Sequence, residues 1–419
     1  MRISFITGII LAVFFFFAPP SGQAYGVLTH EAIIDAAWER SIVPLLKQKY
    51  PATSAEQLKE AHAYAYGGAV SPDMGYYPSG SKLFTDLVHY VRSGDMVNSL
   101  LKNAENVNQY AFALGFLSHY NADKYGHPLG TNRSVPLVYP KVKEKYGNHV
   151  TYAQDKISHL RVEFGFDVLQ VAKGNYASQS YREFIGFKVD TAILAKAFSE
   201  VYGLNINEVF ENHFNRSVET FRFVVANIFP LITRAAWAAK ETEIRKQDST
   251  ATAKRFNYKM RQRNYKKTFG TGYKRPGFFP TFFSYIIRVL PKIGPLRALR
   301  FRAPGPTSEK YFIESFDSVL HHYSLHLNQL QTQSLFLPDL DFDTGKPTER
   351  CEYSLADIAY SDLVLKHKAD GFRNLSYALQ QDITKYYLSM NTPELKTGNL
   401  KYCNRFQSAF SELKAIKIK

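Results

Sequence analysis

FLSHYNADKYGHP, residues 116–128, decides how the rest of the chain is read. It sets His119, Asp123 and His127 four residues apart, with Pro128 directly behind them. A step of four residues turns an α-helix by about 400°, so each side chain drifts only about 40° from the one before. All three therefore share one stripe of an otherwise apolar and aromatic helix. The stripe faces either water or a cation, and Pro128 is expected to end the helix just past it.

Working outward, seven of the twelve histidines fall between residues 30 and 159. His30 lies in YGVLTHEAI (25–33), and His89 in KLFTDLVHYV (82–91). Asp73 sits in GGAVSPDMGYYP (67–78), a glycine- and proline-bounded loop. His159 and Glu163, in SHLRVEFGFD (158–167), form another helical pair four residues apart. Each feature alone fits an ordinary core histidine or an exposed helix pair. Together they put imidazoles and carboxylates at high density into apolar helices, where their desolvation needs a cation to offset it. Nitrogen and oxygen ligands without cysteine suit zinc at a hydrolytic site.

The chain has 419 residues, 45% hydrophobic and 15% aromatic, which is enough to bury a large core and excludes global disorder. Helical spacing of apolar residues recurs at 30–50, 106–127, 158–173 and 217–246, and again at 308–331, 353–370 and 372–390. Sustained period-two alternation is missing, so the expected fold is all-α. It is a multi-helix bundle with a metal site between helices at 25–240, a connecting segment at 241–306, and a smaller C-terminal helical region at 307–419. Within the connection, 254–276 interleaves Lys and Arg with Tyr and Phe, and 277–306 is apolar but broken by Pro and Gly. With a formal charge of +15, the stretch 254–303 reads either as a surface for lipid head groups or nucleic acid, or as a solvated linker followed by packed chain.

Met1 and Arg2 precede an apolar run at 3–18, shorter than the roughly 20 residues that span a bilayer. Gly22 and Ala24 then occupy the small-residue places of a signal-peptidase site, so cleavage after Ala24 and export are expected. Cys351 and Cys403 are the only cysteines, and the pair reads equally as a disulfide or as two thiols.

These residues resemble the trinuclear zinc hydrolases, a group containing the zinc-dependent phospholipases C and the single-strand-specific zinc nucleases. The likeness rests on YGVLTH (25–30), PDMGY (72–76), His89, the His-x3-Asp of the central helix, and His159 with Glu163. LSHY-x-AD-x-x-GHP and the 290–299 segment LPKIGPLRAL look like the phospholipase branch. The resemblance implies up to three zinc ions. Asp73, His89, His119 and Asp123 would hold one, and His127, His159 and Glu163 another. Tyr25 (through its backbone amine and carbonyl), His30 and Asp123 would hold the remaining ion. Three departures stand out: Tyr25 replaces the usual tryptophan, Asp123 to His127 is a short step, and the gap to His159 is long enough that His149 competes with it. By resemblance the protein is a phosphodiesterase acting on phospholipids with zinc-activated water, Asp73 orienting or deprotonating that water. Alternatives are a nuclease or nucleotidase on the same metals, or a non-catalytic metal- and lipid-binding envelope protein.

Overall fold

The computed structural model describes residues 25–176, 187–225, 229–251, 301–388 and 400–417. The proposed signal peptide (1–24) and nearly all of the basic-aromatic stretch 254–303 lie outside these residues. The described chain is helical. No strand occurs in it, and the only pairing of extended chain among the described residues is an isolated antiparallel bridge between Leu340 and Pro347. The all-α expectation is met, with the metal-ligand candidates lying between helices.

Six helices build the site: α1 (Val27–Ala37), α2 (Ala55–Val70), α3 (Lys82–Tyr90), α4 (Val107–Gly126), α5 (Lys156–Lys173) and α6 (Pro306–Gln331). Local sequence starts them. Ser54 and Gln57 close a capping box on α2. Asn106 accepts the backbone N–H groups of Asn108 and Gln109 ahead of α4. Asp155 caps α5, which stops at Gly174 in the left-handed region. α1 has no cap of its own. Asp167 on α5 reaches across and accepts from the N–H groups of Leu28 and Thr29 at 3.2 and 3.1 Å. That tie sets the first turn of α1, and hence His30, against α5.

α4 is the axis of the fold. Every residue from 110 to 123 is buried, as is His127, so no face of that stretch meets water and its polar stripe cannot be a solvated one. Two glycines let α2 and α4 approach backbone to backbone. A Cβ on Gly68 would lie 1.9 Å from the Phe112 carbonyl, and one on Gly115 would lie 2.0 Å from that of Ala65. The closeness brings the Ala69 carbonyl within reach of the His119 ring.

Residues after 306 pack onto the same core. Tyr323 on α6 donates to the Leu114 carbonyl of α4 at 2.9 Å, and Tyr25 Oη lies 2.5 Å from Ser315 Oγ. The sequence reading needs two corrections, at Pro128 and at the start of the helix in 372–390. Pro128 does not end the helical path. Unable to donate to Lys124, it sits in a wider π-helical turn, His127–Thr131, which leads on into helix Asn132–Val138. Across the helix expected at 217–246, the described segments Phe214–Phe223 and Phe229–Gln247 are helical. The last helix of 372–390 starts only at Tyr377. Cys351 is an exposed thiol with no bridge to Cys403 in this structure.

Candidate metal centre

His30, Asp73, His89, His119, Asp123, His127, His159 and Glu163 are all buried, each at most 2% exposed. Three groups have donor atoms within 4.8 Å of one another: His30, His119 and Asp123; Asp73, His89 and His119; and His127, His159 and Glu163. Tyr25 is buried beside His30, with ring centroids 6.2 Å apart. His149 is exposed and belongs to none of the groups, so it is His159 that meets His127 and Glu163.

Asp123 is the hub. Its carboxylate oxygens lie 3.6 Å from His30 Nε2, 3.4 Å from His89 Nε2, 3.2 Å from His119 Nε2 and 3.9 Å from His127 Nε2. Asp73 faces the same space, 3.4 Å from His89 Nε2 and 4.0 Å from His30 Nε2. It is delivered by the Ser71–Tyr76 turn, which Thr85 of α3 ties down through the Pro72 carbonyl and Gly75 N–H.

Backbone carbonyls set the tautomers. His119 Nδ1 lies 2.8 Å from Ala69 O, His89 Nδ1 2.8 Å from Thr85 O, and His159 Nε2 2.9 Å from Val150 O. A carbonyl can only accept, so each of these nitrogens donates, and in the neutral ring the other nitrogen carries the lone pair. With both rings neutral, as ligation of an ion requires, His119 Nε2 and His89 Nε2 point lone pairs at each other across 3.3 Å. His159 Nδ1 likewise faces Glu163 Oε1 at 3.1 Å. Acceptors that converge without a donor between them describe a cation site.

Unpartnered atoms agree. Both nitrogens of His30, both oxygens of Asp73 and of Asp123, His127 Nδ1 and Glu163 Oε2 are buried with no hydrogen-bond partner. Buried polar groups are rarely left so, and here they are contiguous. Among the described residues, the ion pairs of Asp73, Asp123 and Glu163 are with imidazoles alone. Burial raises the Asp73 carboxyl, and burial with the Asp123 charge raises that of Glu163 well above the usual range. Burial would raise Asp123 too, but the His119, His89 and His30 rings outweigh it and hold this carboxyl well below its ordinary value. Burial would lower His89, yet the negative Asp123 and Asp73 carboxylates, each 3.4 Å from its Nε2, push it up to about 10. Burial keeps His30, His127 and His159 low, hence neutral with lone pairs available. In the absence of an ion, then, a proton on His89 balances Asp123. Imidazole and carboxylate donors without sulfur fit zinc.

One participant has no counterpart in the sequence reading. Asp343 Oδ1 lies 3.1 Å from His127 Nε2. It comes from PDLDFDTGK (338–346), where three aspartates alternate before a glycine. That run of acids in a proline- and glycine-bounded turn is the only local signal it offers. Phe342, its neighbour, packs against the rings of His89 and His119 and so covers the centre.

Comparisons with known proteins agree with this geometry. The chain is 29% identical over 160 residues to an uncharacterized protein of Archaeoglobus fulgidus, covering 37% of this chain and 42% of that one. A second uncharacterized protein of the same organism is 28% identical over 149 residues, covering 34% and 44%. The matches thus span less than half of either relative. No solved structure matches. The model of the family described as zinc dependent phospholipase C matches residues 29–212, which include all eight of the clustered residues. Over those residues, and in the donor set they enclose, the chain is similar to the zinc-dependent phospholipase C family.

Proposed function

We propose that the protein is an exported zinc-dependent phosphodiesterase that hydrolyses phospholipids in the manner of a phospholipase C. The observation that carries this is the set of three contiguous donor groups, two of them sharing His119, inside a zinc-dependent family domain. Asp73, His89, His119 and Asp123 would hold one ion, and His127, His159 and Glu163 another. His30 and Asp123, with the amine and carbonyl of Tyr25, would hold the remaining one. Bound zinc supplies Lewis acidity toward phosphate oxygens and makes water acidic enough to attack near neutral pH. The chain's own residues do the rest. Asp123 holds the shared space together from the centre, and the backbone carbonyls behind His89, His119 and His159 keep the lone pairs aimed inward. Asp73, with two unpartnered oxygens in that space, orients a water and accepts its proton.

Export follows from the leader, since Tyr25 offers a free amine only once residues 1–24 are removed. Among the described residues no helix is long and apolar enough to cross a membrane. Contact with lipid would be peripheral, through the basic and aromatic residues of 254–303. A nuclease or nucleotidase on the same metals is the second reading, favoured by the alternation of basic and aromatic residues at 254–276. The zinc-loaded protein is assayed against phosphatidylcholine vesicles, single-stranded DNA and a 3′-nucleotide. Phosphorylated head group released from vesicles supports the first reading. Hydrolysis of DNA alone reverses the order, and no hydrolysis of any of the three leaves a metal- and lipid-binding protein.

A further inference from the structure

The His127 ring presents a problem that the family domain does not solve. Its Nδ1 is buried without a partner, while its Nε2 is the atom nearest Asp123 and Asp343. A neutral imidazole has one N–H and one lone pair, so one nitrogen must donate before the other can bind an ion. His89, His119 and His159 settle this with backbone carbonyls. No carbonyl contact with His127 is found among the described residues; the group facing Nε2 at 3.1 Å is the Asp343 carboxylate.

We infer that Asp343 is a positioning residue of the metal centre. It accepts the Nε2–H of His127 and so commits Nδ1 to the ion held with His159 and Glu163. The inference rests on the zinc reading above. Asp343 is built for the task. Its other oxygen accepts the hydroxyl of Tyr90 at 2.9 Å and that of Tyr353, so neither oxygen is free to turn away. The backbone is held as firmly. Asn132 donates to the Asp343 carbonyl at 2.9 Å, and the Asp343 N–H donates to Asp341 Oδ1 at 2.9 Å. Phe342 N–H donates to the His89 carbonyl at 3.2 Å. Ser93 exchanges hydrogen bonds with the N–H and carbonyl of Leu340. Gly345, at φ +69°, lies so close to the Lys124 carbonyl that a Cβ would approach it to 2.5 Å. The turn is thereby fastened to α3 and α4, the helices that carry the ligands. A residue far outside the 29–212 match thus completes the centre, which makes the C-terminal region part of the metal site rather than an appendage.

The test uses the full chain, loaded with zinc and then dialysed against graded chelator, with zinc per chain measured by elemental analysis. Asp343→Ala should weaken one zinc out of three by about 10–100-fold, as loss of a carboxylate behind a ligating histidine does elsewhere. The other two ions should stay at wild-type chelator midpoints. Asp343→Asn keeps an oxygen for Nε2–H and should restore most of the loss. Asp341→Asn keeps an oxygen for the Asp343 N–H while removing a charge from the same turn, and should leave all three midpoints in place. Cobalt in place of zinc gives a second readout: the visible absorption of one ion should change in Asp343→Ala and not in Asp341→Asn. Unchanged zinc binding in Asp343→Ala overturns the inference, as does an equal loss in both aspartate variants. If the wild-type chain itself binds no third zinc, the zinc reading fails along with it; if it binds three and Asp343→Ala does too, only the inference fails.

Discussion

Asp123→Asn removes one charge from the hub while keeping the size of the side chain. Asp123 lies within 3.2–3.9 Å of four imidazoles and has no lysine or arginine partner among the described residues. Stripping one partner from a buried charge pair costs about 3–5 kcal/mol. Applied to the ions at His30, His89 and His119, this becomes about a 10²- to 10⁴-fold loss of zinc affinity. The metal-free protein should suffer much less. There the partner of Asp123 is the proton on His89, and when the carboxylate is gone His89 can release that proton instead of leaving a charge unbalanced. Two measurements separate these effects: zinc per chain after dialysis against a chelator that spares the wild type, and thermal melts of the zinc-loaded and metal-free forms. The variant should lose two of three ions, and its loaded form should fall in Tm more than its metal-free form. A variant that keeps all three ions, or whose two forms are destabilised equally, refutes the placement of Asp123 between the metals.

Further outcomes follow from the same geometry. His89, near 10 without metal, must shed its proton to ligate, so zinc affinity measured by chelator competition should rise at least tenfold per pH unit between about pH 7 and 9. The sign for the metal-free chain is opposite. A raised histidine stabilises fully below its unfolded value of about 6.5 and stops doing so as pH climbs through about 10. His159→Ala should lose one zinc, whereas His149→Ala should lose none, by the same elemental analysis. Gly115→Ala drives a Cβ to within 2.0 Å of the Ala65 carbonyl and should lower stability in a urea titration by about 1–3 kcal/mol or more. Because it separates α2 from α4, it should also loosen His119 from the Ala69 carbonyl and weaken zinc binding.

Much of this centre was legible in the sequence because its ligands obey local rules. His119, Asp123 and His127 share a stripe by helical spacing alone, as do His159 and Glu163. The loop holding Asp73 announces itself by Pro72 and Gly75, and the family resemblance links these pieces into one site. What escaped reading depends on tertiary contact. Asp343 reaches His127 from the far end of the chain, and nothing in helical periodicity forecasts that approach. Gly68 and Gly115 look like ordinary weak spots in helices until α2 and α4 are seen to touch through them. Pro128 reads as a stop signal, but a π-helical turn absorbs the hydrogen bond it cannot make, and the Lys124 carbonyl is covered by Gly345 instead.

The central claim is that zinc occupies the space around Asp123. Diffraction from crystals of the zinc-loaded protein, recorded above and below the zinc absorption edge, tests it without reference to any substrate. The account predicts three anomalous peaks. Two should flank Asp123, one on the side of His30 and one among Asp73, His89 and His119, and the third should lie among His127, His159 and Glu163. Absence of a peak within bonding distance of Asp123 would contradict it.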